Sequence, residues 1–99
     1  MKTIRFGAVY GAPPIFCADV DQMGYVEPES LPLSESLLAD LRVWDHEYQV
    51  TFREDYPPDS QFPLDEDRIH HNQRGLELSR RLGEELGPDT LVEFRPLED

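Results

Sequence analysis

The 99-residue chain is short and acidic, with 38% hydrophobic residues and a formal net charge of −12 at pH 7. A chain of this length usually forms one core, so we expect a single domain over residues 1–99, and no stretch reaches the roughly 18 apolar residues of a membrane span. The negative charge opposes binding to nucleic acid and to anionic membranes, because it repels phosphate, and it favours a basic protein partner.

The acidic residues are concentrated in one part of the chain. Residues 19–67 contain fourteen Asp and Glu against two arginines, whereas the remaining residues contain seven acids and seven Lys or Arg. The charge imbalance of the whole chain therefore lies in this stretch. Such segregation favours a functional acidic surface over acids that serve solubility alone.

The first twenty residues predict two short strands. A period of two over residues 3–10 indicates a half-buried strand, with four side chains on its inner face: Ile4, Phe6, Ala8 and Tyr10. Residues 11–14, rich in Gly and Pro, end it, and residues 15–20 form the second strand. This segment lacks the apolar stretch and cleavage site of a secretory signal, so we expect a bacterial cytoplasmic protein.

The rest of the chain predicts two helices and a last strand. Residues 21–33 are expected to be an irregular loop, after which Ser34 begins an amphipathic helix as its N-cap. A second helix begins at Asp65 and ends before Gly87 and Pro88, and residues 90–95 alternate as a strand. The sequence therefore predicts an α+β fold of order β-β-α-α-β, with a small, mainly antiparallel sheet of about three strands and two helices on one face.

Three features of the sequence are candidates for a metal site or a catalytic site. Asp67 and His71 are four residues apart on one helix, as a metal site requires, but acids in a first turn also suit the helix dipole and no second element supplies ligands. Residues 45–47 (Asp-His-Glu) diverge around a helix and do not form an acid–base pair. Cys17 lies in an apolar strand without a cationic neighbour, which predicts an inert thiol. We therefore expect no catalytic residue, metal or cofactor.

The acidic loops are the predicted partner-binding surface. Tyr25, Tyr56 and Phe62 lie in or beside these loops, outside the periodic apolar stripes, where they either anchor an interface or hold long loops on the core. The candidate partner-binding residues are Asp19, Asp21, Tyr25, Glu27, Glu29, Glu54, Asp55, Tyr56 and Asp59.

Two segments resemble small acidic bacterial proteins of the immunity type, which are encoded beside secreted or contact-delivered toxins. Residues 28–34 read Pro-Glu-Ser-Leu-Pro-Leu-Ser before a helix with Trp and Tyr, and residues 81–88 read Arg-Leu-Gly-Glu-Glu-Leu-Gly-Pro. The resemblance covers residues 27–94. It implies a non-enzymatic inhibitor that binds a toxin.

Three functions remain open from the sequence. The favoured one is an immunity-type inhibitor that neutralises a basic toxin, with nucleases as one candidate class, by occluding it. The second is an acidic adaptor, regulator or DNA mimic that binds a basic host protein. The third is a small metal-binding enzyme built on Asp67 and His71.

Overall fold

A computed structural model describes residues 2–52, 55 and 62–97 of the chain. Its elements, in chain order, are β1 (Lys2–Phe6), β2 (Ile15–Cys17), β3 (Gly24–Val26), a single 3-10 turn (Pro28–Ser30), α1 (Glu35–Gln49), α2 (Asp65–Leu86) and β4 (Thr90–Phe94). The predicted α+β class is confirmed. In the described part of the chain, neither α1 nor α2 is long and apolar enough to cross a membrane.

The sheet has four strands in the order β3-β2-β1-β4. β1 pairs antiparallel with β2 and parallel with β4, and β2 pairs antiparallel with β3. The parallel pair arises because both helices lie in the connection from β3 to β4, which brings the chain back to the other side of β1. The expected count of about three strands is therefore low by one, and part of the predicted loop over residues 21–33 is the edge strand β3.

The core lies between one face of the sheet and both helices. Its buried residues are Ile4, Phe6, Ile15, Leu37, Leu41, Trp44, Leu78 and Leu82. The strand residues alternate between this face and the opposite one, as the period of two predicts. The indole N–H of Trp44 donates to the carbonyl of His71 at 2.9 Å, which ties α1 to α2 and satisfies the one polar atom of the ring.

The two helices are joined at their ends. Ser34 is the N-cap of α1, as predicted: its hydroxyl accepts from the amide of Leu37 at 3.2 Å. The carboxylate of Glu85, near the C-terminal end of α2, accepts from the Ser34 amide at 2.6 Å and from its hydroxyl at 2.8 Å. The start of α1 is therefore held by the last turn of α2.

Gly75 allows α2 to lie close to the core. A Cβ at this position would come within 2.7 Å of the Phe94 ring and 2.9 Å of the Trp44 ring. Glycine is required there because any side chain would overlap two aromatic rings. A Cβ at Gly83, two turns further along, would meet nothing within 4 Å.

Candidate functional site

An acidic pocket lies between the β1–β2 connection, the 3-10 turn and α1. It encloses about 270 Å³ and is lined by Ala12, Pro13, Pro14, Glu27, Pro28, Glu29, Leu41, Arg42 and Asp45. Three of these side chains are carboxylates. Two come from the segment around the 3-10 turn and one comes from α1, so the fold assembles the pocket from parts of the chain that are distant in sequence.

Local hydrogen bonds hold the two walls of the acidic pocket. The carbonyl of Glu27 accepts from the amide of Ser30 at 3.0 Å and from its hydroxyl at 2.7 Å, which closes the 3-10 turn. On the other wall, the Gln49 side chain donates to Asp45 Oδ1 at 3.2 Å and to the carbonyl of Val9 at 2.8 Å. Gln49 therefore links the helix to the β1–β2 connection beside the pocket.

The carboxylates of Glu27 and Asp45 repel each other across the acidic pocket. Burial raises the pKa of Asp45 above its usual range, the hydrogen bond from Gln49 and the charge of His46 oppose that rise, and the negative charge of Glu27 adds a smaller contribution to it. Within the described ranges, neither carboxylate has a Lys or Arg within ion-pair distance. Two such carboxylates are stabilised by an incoming cation.

The third carboxylate of the acidic pocket is already paired. Arg42 Nε lies 3.2 Å from Glu29 Oε1, and both side chains are exposed. The hydrogen bond from the backbone N–H of Glu29 lowers the pKa of its carboxyl, and the hydrogen bond from Arg42 lowers it by a smaller amount. An exposed ion pair of this kind contributes about 0–1 kcal/mol, so a partner's guanidinium can replace Arg42 at small cost.

The predicted partner-binding residues do not all share one surface. Glu27 and Glu29 line the acidic pocket after β3, whereas Asp19 and Asp21 lie in the loop before β3. Asp19 is partly buried and its carboxylate accepts from the amide of Thr3 at 3.0 Å, which ties this loop to β1. Tyr25 is 53% exposed on β3 and lines a different groove on the other face of the sheet.

The remaining predicted residues belong to the segment before α2. Asp55 is described and is exposed. Glu54, Tyr56 and Asp59 lie outside the described residues. Phe62, which the sequence left as either an anchor or a loop fastener, is partly buried with its ring centroid 5.0 Å from that of His71.

Asp45 lines the acidic pocket but is absent from the partner-binding residues that the sequence predicts. In the sequence it stands beside His46 and Glu47 as one of three polar side chains that diverge around the helix. The helical spacing held the missing signal, because Asp45 is four residues after Leu41 and three before Tyr48, both on the inward stripe. A polar residue at the edge of an apolar stripe is expected to be half-buried, as Asp45 is.

Many acids outside the pocket are neutralised by the fold. Arg81 bridges to Asp40 at 2.6 Å, which links the helices. Arg74 bridges to Glu47 at 3.0 Å, and Arg80 pairs with two glutamates of its own helix, Glu77 and Glu84. These contacts leave the acidic pocket as a place where negative charge faces a cavity.

The side chain of His71 is buried. Its ring stacks on Trp44 with centroids 4.2 Å apart and an angle of 12° between the planes, and neither ring nitrogen has a hydrogen-bond partner among the described residues. Burial lowers the pKa of His71 from 6.5 to about 4. Across the described residues, no group of three or more His, Cys, Asp or Glu side chains is placed to hold a metal ion.

Comparison with known families identifies the class of protein to which this chain belongs. Residues 2–97 match the model of the family described as Serratia CdiI immunity protein-like. Because the match covers nearly the whole chain, the protein belongs to this family, and its role is in toxin immunity. The resemblance to immunity proteins is therefore confirmed. No match was found among curated proteins.

Proposed function

We propose that the protein neutralises a basic bacterial toxin by binding it through the acidic pocket and covering its functional surface. The observation that carries this proposal is the pair of carboxylates, Glu27 and Asp45, that face one cavity without a Lys or Arg partner among the described residues. A lysine or arginine of the toxin would enter between them. The carboxylate of Glu29 would release Arg42 and pair with the lysine or arginine of the toxin.

A basic toxin suits the charge of the whole molecule as well as the pocket. A net charge of −12 attracts a cationic surface over several ångströms and raises the rate of encounter. Nucleases are the toxin class that fits best, because an enzyme that holds phosphate groups needs positive charge in its active site. An acidic protein that covers this site excludes the substrate by shape and by charge.

The proposed action is binding and not catalysis. Inhibition requires that the complex form faster than the toxin acts and that it dissociate slowly. Long-range attraction provides the first condition, and desolvated charge pairs in the pocket provide the second. Neither condition needs a nucleophile, a general base or a metal.

The test compares two double variants with the same change in charge. Glu27→Gln combined with Asp45→Asn removes the unpaired carboxylates of the pocket, and Glu77→Gln combined with Glu84→Gln removes two acids from the outer face of α2. The affinity of each for the toxin domain encoded by the adjacent gene is measured by calorimetry. We expect the pocket variant to bind about 30-fold or more weakly, since removing one partner of a buried charge pair costs about 2–5 kcal/mol.

The fold should tolerate the pocket variant. Asp45→Asn removes a repulsion between carboxylates, so loss of binding would not reflect loss of structure, and the melting temperature checks this. Equal affinities for the two variants would contradict the proposed site. A wild-type protein that does not bind the toxin but binds a basic host protein would favour the adaptor function instead.

A further inference from the structure

The face of the sheet opposite the helices carries a row of charged and aromatic side chains. The strand register places Arg5 of β1 beside Phe16 of β2 and Glu93 of β4, and Phe16 beside Tyr25 of β3. Side chains at paired positions of adjacent strands point to the same face. One row therefore crosses all four strands on the side that the core does not use.

A groove of about 350 Å³ follows part of this row. We call it the sheet groove; it is lined by Arg5, Gly7, Ala8, Val9, Pro13, Pro14, Phe16, Tyr25 and Arg95. The aromatic floor is formed by Phe16 and Tyr25, whose rings meet edge to face with centroids 5.2 Å apart. The β1–β2 connection forms one wall.

The two charged residues that line the sheet groove are both arginines. The guanidinium of Arg5 lies over the Phe16 ring at 5.9 Å from its centroid. No described carboxylate is within ion-pair distance of Arg5. Arg95 Nη2 lies 3.5 Å from Oε2 of Glu93, a residue that does not line the groove. The Arg95 side chain is 60% exposed. The groove therefore presents positive charge in a protein whose overall charge is strongly negative.

Gly7 fixes the position of Arg95 beside the groove. A Cβ on Gly7 would be 2.7 Å from the carbonyl oxygen of Arg95 and 2.9 Å from its Cβ. The amide of Arg95 also donates to the carbonyl of Phe6 at 2.8 Å. The backbone beyond β4 can follow β1 this closely because residue 7 has no side chain.

The sheet groove and the acidic pocket lie on the two sides of one ridge. Pro13 and Pro14 line both cavities, so a narrow segment of chain separates a positive groove from a negative pocket. A partner that covers the ridge would contact both. Its surface would need a basic group on one side and an acidic group on the other.

We propose that the sheet groove binds an acidic side chain of the same toxin, with an adjacent apolar residue of the toxin packed on Phe16 and Tyr25. This inference rests on the proposed function. Charge complementarity selects an acidic group, because Arg5 has no carboxylate partner among the described residues and the floor is aromatic. A free anion or a nucleic acid is disfavoured by the charge of −12, whereas a carboxylate carried on a basic protein is brought in by the attraction of its other residues.

The two cavities together would fix the orientation of the toxin. A single negative patch attracts any basic surface in any orientation. Adjacent patches of opposite sign bind a partner in one orientation and repel it in the reversed orientation, where like charges would meet. The groove thus contributes to specificity among basic partners, and the acidic pocket contributes to attraction.

The test uses charge reversal in the groove. Arg5→Glu and Arg95→Glu, separately and together, make the protein more negative, as does the control Arg80→Glu on the outer face of α2. If overall charge alone governed binding to a basic toxin, all four variants would bind at least as tightly as the wild type. We expect the groove variants to bind the adjacent-gene toxin domain about 10-fold or more weakly, and the control to keep wild-type affinity.

The outcomes separate this inference from the proposed function. Groove variants with the affinity of the control would overturn the groove while leaving the acidic pocket as the binding site. Absence of any complex with wild-type protein would overturn both. A dimer of the free protein that Arg5→Glu dissociates would assign the groove to a second copy of the chain, which would also contradict the proposal. Melting temperatures of all variants exclude unfolding as the cause.

Discussion

His71 is enclosed by aromatic rings, and in the described part of the chain neither of its ring nitrogens has a hydrogen-bond partner. Burial deprives the charged form of water, so protonation is resisted and the pKa falls to about 4. Two charged groups also act on it and oppose each other: Glu47 favours the proton and Arg74 disfavours it. The low pKa therefore follows mainly from burial.

The first prediction concerns stability in mild acid. The unfolded chain takes up the His71 proton near pH 6.5 and the folded chain near pH 4, so protons favour unfolding as the pH falls through this window. The wild type should lose about 2 kcal/mol more than His71→Phe between pH 7 and pH 5. Urea denaturation at both pH values measures this difference. His70→Gln, at the exposed neighbouring position, should follow the wild type; parallel pH profiles for all three proteins would contradict the account.

The second prediction uses two glycines of α2. Gly75→Ala would force the Phe94 and Trp44 rings to move. This steric cost should exceed the stabilisation from the higher helix propensity of alanine, so we expect a destabilisation of about 1–3 kcal/mol. Gly83→Ala, where a Cβ meets nothing within 4 Å, should stabilise it by about 0.5–1 kcal/mol. Thermal unfolding of both variants tests the pair, and the same sign for both would be incompatible with the packing described.

These residues also show what a sequence can and cannot tell. Gly75 and Gly83 share a helical face, so the sequence alone indicates that both allow another element to pack closely. In the structure only Gly75 lies close to other side chains. His71 is one of two adjacent histidines, and helical periodicity puts it on the same side of α2 as Leu78. What could not be deduced was the position of Trp44, whose ring covers the imidazole from the other helix.

At the scale of the elements, the helices were predictable and the edge of the sheet was not. Long apolar stripes, the Ser34 cap and the Gly87 stop mark α1 and α2 in the sequence. β3 has three residues, too few for a period of two to be visible, and it exists because β2 provides a ladder from Ile15 to Cys17. Such a short edge strand depends on its neighbour more than on its own composition.

The third prediction tests the connection between the helix ends. Ser34→Ala removes the hydroxyl that caps α1 and one of the two bonds to Glu85, so it should destabilise the protein by about 1–2 kcal/mol. Ser79→Ala lies within α2, where the hydroxyl bonds back to the carbonyl of Leu76, and should change stability by less than about 0.5 kcal/mol. Chemical denaturation compares them, and an equal small effect would show that the cap contributes little.

At the scale of the whole molecule, paired and unpaired charges lie in different places. Ion pairs neutralise acids along and between the helices, whereas among the described residues Glu27 and Asp45 of the acidic pocket have no Lys or Arg partner and Arg5 of the sheet groove has no carboxylate partner. The sequence indicated the net charge and the acidic stretch. The grouping of Glu27 with Asp45 could not be predicted, because it depends on how the turn after β3 meets α1.

The fourth prediction concerns the rate of association with the toxin. Attraction between a protein of charge −12 and a basic toxin is screened by salt, so the association rate constant should fall by about 10-fold or more between low ionic strength and about 0.5 M. The dissociation rate constant should change less, because the charge pairs in the pocket are shielded from solvent. Stopped-flow mixing at several salt concentrations measures both, and a salt-independent association rate would argue against electrostatic attraction.

Hydrogen–deuterium exchange of the protein with and without the adjacent-gene toxin domain would test the central claim most directly. We predict slower exchange in the complex around Glu27–Leu31 and in the segment from Val9 to Ala12, on either side of the Pro13–Pro14 ridge. The outer face of α2, around Glu77 and Glu84, should exchange as in the free protein. Protection confined to α2 would contradict the account, because it would place the toxin on the face where the fold already neutralises its charges.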